Sequence, residues 1–301
     1  MTITMRPYVS ETDVARIDVL MRTAPVKTPH LLDFPWRFAS PMSQTGRDIM
    51  VWRDERENTQ GELLAFAAWQ PYWAVFDFVM LQSPLQEEIE PQLFAWIQQH
   101  FQEVSRENGY TMPCWVEYRD DDVERKALLA RHGFTIEYET PYVFLERSLR
   151  DVLPESTLPD GFTFRSLRND EAEAYTVLHR AAFESTSMTA DWRTRTLFAP
   201  RHASDFDRVV VAPDGTLAGF CVAWFDEQRH VGQIEPIGVL PAFHHMGLAR
   251  ALLFDMFRRF QQRGAQHIYV ETEDDRGPAR AAYEAVGFQI KHRLWKLGKY
   301  V

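Results

Sequence analysis

The chain has 301 residues, enough for two ordinary domains, and its 45% hydrophobic and 25% charged residues are the balance of a globular protein. A formal net charge of −10 argues against nucleic acid, which needs a basic face, and against an anionic membrane surface. Two isolated cysteines, Cys114 and Cys221, in apolar runs make neither a disulfide framework nor a metal-ligand pattern. They read as buried thiols of a reducing, cytoplasmic compartment, and no metal is expected. The start, Met1 to Pro7, has no signal-peptide layout, and no stretch approaches 18 uncharged apolar residues, so no transmembrane helix is expected.

In chain order, a short strand from Ile3 to Arg6 leads to a polar helix start at Ser10-Glu11-Thr12-Asp13. A hairpin follows, from Ile49 to Trp52 and from Leu63 to Trp69, joined by a polar loop through Gly61. Leu93, Ile97 and Phe101 then mark one face of a long helix. Ser83, Pro84 and Gln86 suggest its cap, although Pro91 implies a kink or a later start. A strand from Cys114 to Tyr118 and a short helix ending at Gly133-Phe134 complete the first half. The stretch from Arg150 to Gly161, with two prolines and a glycine, reads as a linker.

The second half repeats this order. A strand from Phe162 to Arg165 is followed by a helix start at Asn169-Asp170-Glu171. Arg208 to Val211 and Leu217 to Phe225 flank the turn Pro213-Asp214-Gly215, a good hairpin signal. Leu248, Leu252, Met256 and Phe260 line a helix from Leu248 to Arg263, then come a strand from His267 to Glu271 and a second Gly-Phe pair, Gly287-Phe288. Each glycine suits a helix C′ position with positive φ. The expected fold class is therefore α/β: two tandem domains, each a mixed, mostly antiparallel sheet flanked by helices. The expected limits are 1–150 and 161–301, with 151–160 as linker.

Chemistry is carried by the stretch from Glu235 to Leu253, where an apolar strand runs through a short loop into a helix at Gly247-Leu248-Ala249. Free N–H groups and the helix dipole make such a start an anion site. Gly247 and Ala249 are small enough for a phosphate to approach, and Arg250 with His244 or His245 can add charge. The bland alternative is an ordinary strand-loop-helix turn.

Here the chain resembles the GCN5-related N-acetyltransferase (GNAT) superfamily. That family shows Gln/Arg-x-x-Gly-x-Gly/Ala at the coenzyme A pyrophosphate, and this chain has His244-x-x-Gly247-x-Ala249, with His at the first position. The family also shows Asn-x-x-Ala, with Tyr four residues before Gly-Phe. Ala279, Tyr283, Gly287 and Phe288 match, and Arg276 stands for the Asn. The resemblance implies acetyl-CoA, or another acyl-CoA, as co-substrate. It implies a cofactor site at Ile237, Gly238, Val239, His244, His245, Met246, Gly247, Leu248, Ala249, Arg250 and Arg276. It further implies that the N–H of Val239 meets the thioester carbonyl and that Tyr283 protonates the leaving thiolate, a packing tyrosine being the alternative. Glu235 is the candidate base; by alternation it shares a strand face with Gln233 and Ile237. Asp226, Glu227 and Glu184 are weaker candidates, and a structurally paired carboxylate is the competing reading of Glu235.

In the first half the corresponding loop, Leu81 to Pro91, has no glycine and three glutamates, and Leu129 holds the tyrosine position. This half is expected to keep the fold without the cofactor site. Six of nine tryptophans lie here and read as packing, with an aromatic wall for the acceptor as the alternative. Phe34 to Phe38 is the segment expected to be exposed and functional. A tandem with a degenerate first half resembles mycothiol synthase and other two-domain bacterial acetyltransferases. The expected activity is N-acylation of a primary amine of a small molecule. The alternatives are a protein N-acetyltransferase and a non-catalytic acyl-CoA sensor. A monomer is favoured over a homodimer, because two fused domains can replace a dimer.

Overall fold

The computed structural model describes residues 3–25, 27–41, 46–56, 62–274 and 277–301. In chain order the first elements are β1 (Ile3–Pro7), α1 (Ser10–Thr23), α2 (Phe34–Phe38), β2 (Ile49–Asp54), β3 (Leu63–Gln70) and β4 (Val75–Met80). Next come α3 (Gln86–Asn108), β5 (Cys114–Arg119), α4 (Val123–Arg131), β6 (Ile136–Glu137) and β7 (Tyr142–Ser148). Then follow β8 (Thr163–Ser166), α5 (Ala172–Phe183), α6 (Ala190–Leu197), β9 (Asp207–Val211), β10 (Leu217–Asp226) and β11 (Val231–Val239). The chain closes with α7 (Leu248–Gln262), β12 (His267–Glu273), α8 (Gly277–Ala285) and β13 (Gln289–Lys299).

These elements form two compact units. The first comprises Met1–Leu31, Ser40–Pro141 and His292–Val301; the second comprises Leu32–Ala39 and Tyr142–Lys291. In the first, the strand order is β1-β2-β3-β4-β5-β13, with β6 also on β13. In the second it is β8-β9-β10-β11-β12-β7. The two orders are the same, and in each the sixth strand comes from the other half of the sequence. One pair in each unit is parallel, β4 with β5 and β11 with β12, and the other pairs with a printed register are antiparallel. The α/β expectation of two mixed, mostly antiparallel sheets flanked by helices holds.

The helical periodicities hold as well. Leu93, Ile97 and Phe101 of α3 are buried in the first unit's core, and Leu248, Leu252, Met256 and Phe260 of α7 are buried in the second unit's. Gly133 and Gly287 both have positive φ, 85° and 93°, after α4 and α8. The cap of α3 does not hold. The helix begins at Gln86, its N-cap is Leu85 with no side-chain capping bond, and Pro91 lies inside it. Ser83 Oγ instead accepts from the N–H of Leu85, closing the turn that precedes the helix. As the sixth residue, Pro91 removes the N–H that would bond the Glu87 carbonyl, yet the helix continues through it to Asn108.

Phe34–Phe38 also departs from expectation. All five residues of α2 are buried, and the segment belongs to the second unit. Trp36 stacks on Trp192 of α6 with ring centroids 4.9 Å apart. Trp192 Nε1 donates to the Trp36 carbonyl at 2.9 Å, and Arg195 Nε donates to the Ala39 carbonyl at 2.8 Å. Three aromatic rings in five residues are too apolar to leave in water when a helix face is available. Among the described residues, no helix is long and apolar enough to cross a membrane.

Candidate active site

The site begins with a divergence of strands. β11 pairs with β12 only at Val231, Gly232 and Gln233, and from Ile234 onward the two part. On its other edge β11 stays with β10 through Val239, with Phe220 opposite Gly238 and Gly219 opposite Val239. The N–H of Leu240 donates to the Ala218 carbonyl at 2.9 Å, so Leu240 points toward β10. Because direction alternates along a strand, the N–H groups of Ile237 and Val239 point into the gap. His244 agrees with this, since its Nε2 donates to the Val239 carbonyl at 3.1 Å.

A bulge precedes this stretch. Cys221 faces Ile237 while Ala223 faces Ile234, so β11 spends an additional residue around Glu235 and Pro236. The bulge overturns the simple alternation. Ile234 lies in the core beneath α7, and a Cβ on Gly232 would strike Phe260 of α7, so Gln233 lies on the opposite face. Beyond the bulge, Ile237 and Val239 pack on that α7-side core, whereas a Cβ on Gly238 would meet Phe220 and Ala182 of α5. Ile237 therefore does not share a face with Gln233.

The loop after β11 presents backbone. His245 and Gly247 both have positive φ, 63° and 78°. A non-glycine residue there is uncommon, and left-handed residues in a turn aim successive N–H groups into one concavity. Gly247 caps α7, and among the described residues no side chain bonds the helix start. Among the same residues a Cβ on Gly247 would meet nothing within 4 Å, which leaves open space facing the helix start. His244, His245, Met246 and Arg250 are exposed around it, and Ala249 is half-buried. Leu248 differs: its side chain is buried in the core, so it can offer only its N–H. Uncapped N–H groups, a helix dipole and open space suit a phosphate.

Tyr283 is half-buried on α8, edge-on to Phe288 with centroids 5.8 Å apart, and packs on the α7-side core. Glu235 is half-buried on β11, and Trp224 Nε1 donates to its carbonyl at 2.9 Å. Arg276 lies outside the described residues. Of the weaker base candidates, Asp226 accepts from Arg229, both backbone and guanidinium, a turn-closing role; Glu227 is exposed and pairs with Arg263 at 3.4 Å.

The face beneath α5 and α6 carries buried polar groups that sequence reasoning missed. Arg193 is fully buried, pairs with Asp207, and lies 3.9 Å above the Tyr175 ring. Tyr175 Oη, His179 Nδ1 and Arg193 Nε have no hydrogen-bond partner among the described residues. Burial raises the Tyr175 phenol. Burial first, then Arg193 and Arg180, pushes His179 down to about 4, so its imidazole is neutral at pH 7. The available signal was Tyr175 and His179 four apart among apolar residues of one helix. Cys114 and Cys221 are buried free thiols, and burial raises both.

In the first unit the corresponding parallel pair, β4 and β5, registers at Phe76 and Val116. Next along the strands stand Asp77 and Glu117, and His30 bridges them, with Nε2 2.5 Å from Glu117 Oε2 and 4.0 Å from Asp77 Oδ1. His30, Asp77 and Glu117 are also close enough to gather around a cation, although Lys296 already lies 3.6 Å from Glu117. Among the three glutamates of the corresponding loop, Glu90 is held down to about 2, chiefly by Arg131 and then by His132.

With this geometry established, the relatives are informative. The model of the acetyltransferase (GNAT) family matches residues 164–288. The mycothiol acetyltransferase of Nocardia farcinica is 32% identical over 179 residues, 56% of this chain and 58% of that protein. The mycothiol acetyltransferase of Salinispora tropica is 31% identical over 153 residues, 48% of this chain and 50% of that protein. The chain thus matches only about half the length of these relatives. Two solved structures share the whole fold. A tandem GNAT protein from the clavulanic acid biosynthesis pathway has a TM-score of 0.61 at 15% identity, covering 98% of both chains. A GCN5-related N-acetyltransferase from Sphaerobacter thermophilus has a TM-score of 0.60 at 18% identity, covering 99% of this chain and 96% of that one.

Proposed function

From the match of residues 164–288 to the acetyltransferase (GNAT) family model, and a fold shared with a tandem GNAT protein, we propose that the second unit transfers an acyl group from acyl-CoA to the primary amine of a small molecule. The observation that carries the proposal is the parting of β11 from β12 just before an uncapped helix start. A gap with inward N–H groups suits a thioester arm, and the loop beyond it suits the pyrophosphate. The relatives named mycothiol acetyltransferases support a small acceptor.

The residues divide the chemistry. His245, Met246, Gly247, Leu248 and Ala249 would hold the pyrophosphate through backbone N–H groups, with Arg250 and His244 at the rim. Val239 N–H would meet the thioester oxygen as it gains negative charge. Glu235 would take the proton of the ammonium, directly or through water, freeing its lone pair to attack the carbonyl carbon. As the C–S bond breaks, Tyr283 would give its proton to the thiolate, and the attached nitrogen would lose its second proton, through solvent, to the tyrosinate, leaving an amide and a free thiol with Tyr283 restored.

Thiol release from acetyl-CoA with a panel of amino-sugars, polyamines and amino acids tests the reading. The expected result is amine-dependent release, reduced about 10²-fold or more in Tyr283→Phe with acetyl-CoA affinity retained. Full turnover in Tyr283→Phe would remove that residue's role. Acetyl-CoA binding without release for any amine, peptides included, would favour a sensor.

A further inference from the structure

We infer that Arg147 of β7 is a positioning residue for Tyr283, clamping the end of α8 and so fixing where the phenol lies. The inference rests on the reading of Tyr283 as the acid and adds the residue that holds it. Along β7, Val143 and Leu145 are buried in the second unit's core, and by alternation Arg147 continues their face. A third apolar residue would suit that face. The arginine there is half-buried, and burial lowers its pKa against the pull of Asp151. A charge drawn out of water in this way needs partners.

Its partners belong to the turn that ends α8. Arg147 Nη1 donates to the Val286 carbonyl, which lies just past the last helical residue and has no partner within the helix. A cation also suits the negative end of the helix dipole. The same turn closes on Tyr283 itself, because the N–H groups of Val286 and Phe288 both donate to the Tyr283 carbonyl, each at 3.1 Å. The rings make a second link. The Arg147 guanidinium lies 5.1 Å from the centre of the Phe257 ring, Phe257 stands edge-on to Phe288 at 5.7 Å, and Phe288 stands edge-on to Tyr283 at 5.8 Å. Backbone and rings thus lead from Arg147 to Tyr283 by two routes. Gly287 is part of the arrangement. A Cβ there would overlap Arg147 Nη1, so this glycine leaves room for the clamp as well as serving its own positive φ.

The test is a double-mutant cycle in thiol release from acetyl-CoA, using whichever amine of the panel above gives the fastest release. Arg147→Met keeps an unbranched side chain and removes the hydrogen bond. It should lower kcat about tenfold or more while the KM for acetyl-CoA stays within about twofold, because the pyrophosphate loop is untouched. In a Tyr283→Phe background the same change should have no further effect on kcat, since Arg147 acts through that phenol. A residue that merely stabilised the fold would cost the same factor in both backgrounds. Arg147→Lys keeps the cation without the planar fork and goes through the same cycle if the methionine variant does not fold. An equal loss in the two backgrounds, or an unchanged kcat in a folded Arg147 variant, would overturn the inference. Full turnover in Tyr283→Phe, or no release by the native chain with any amine, would instead overturn the reading beneath it.

Discussion

At the scale of single residues, His179 ties the site to pH. Its folded value of about 4 lies below the ordinary 6.5, with burial as the main cause. The unfolded chain therefore binds a proton between these values and the folded chain does not. Stability from this group is complete above pH 6.5 and declines as pH falls toward 4, by on the order of 3 kcal/mol. His179→Gln should flatten the fall in denaturation free energy between pH 6.5 and 5 relative to the native chain; an equal slope in both would contradict it. The motif residues were legible because backbone needs fixed their types, as at Gly247 with φ 78° and at Gly287 with φ 93°. The face of Ile237 was not legible, because a bulge at Glu235 and Pro236 leaves no mark in a strand's pattern of apolar residues. Arg193 was missed for a related reason: only the fold brings it to Asp207.

At the scale of elements, α2 shows why a local pattern can mislead. Phe34–Phe38 is short, aromatic and flanked by loop, which reads as an exposed motif. Its partner, α6, lies more than 150 residues further along the chain, beyond any sequence window. Trp36→Ala removes a buried ring stacked on Trp192 and should cost about 3–5 kcal/mol. Urea denaturation followed by circular dichroism should show the loss, and a midpoint equal to that of the native chain would contradict the packing. Long periodic helices such as α7 were legible from four-residue spacing alone, because the core selects the same face turn after turn. The start of α3 was misread because a serine three residues ahead of a helix resembles a cap whether or not it reaches the helix N–H groups.

At the scale of the whole molecule, the order of elements was readable twice along the chain, but strand exchange was not. β7 belongs to the second unit, pairing with β12 over seven residues from Tyr142 to Ser148, while the end of β13 pairs with β5 in the first. A fragment of residues 151–301 lacks both β7 and α2, leaving an edge of β12 and a face of α6 uncovered. It should show no cooperative unfolding transition in circular dichroism, whereas a sharp transition like that of the full chain would contradict this account. The two units also differ at the helix that follows the parallel strand. Both α3 and α7 start without a side-chain cap, but α3 carries Glu87 and Glu88 in its first turn, which repel an anion, and α7 carries no carboxylate there. The most direct measurement of the central claim is therefore the stoichiometry of acetyl-CoA on the full chain by calorimetry. One molecule bound per chain is predicted, and either none or two would contradict it.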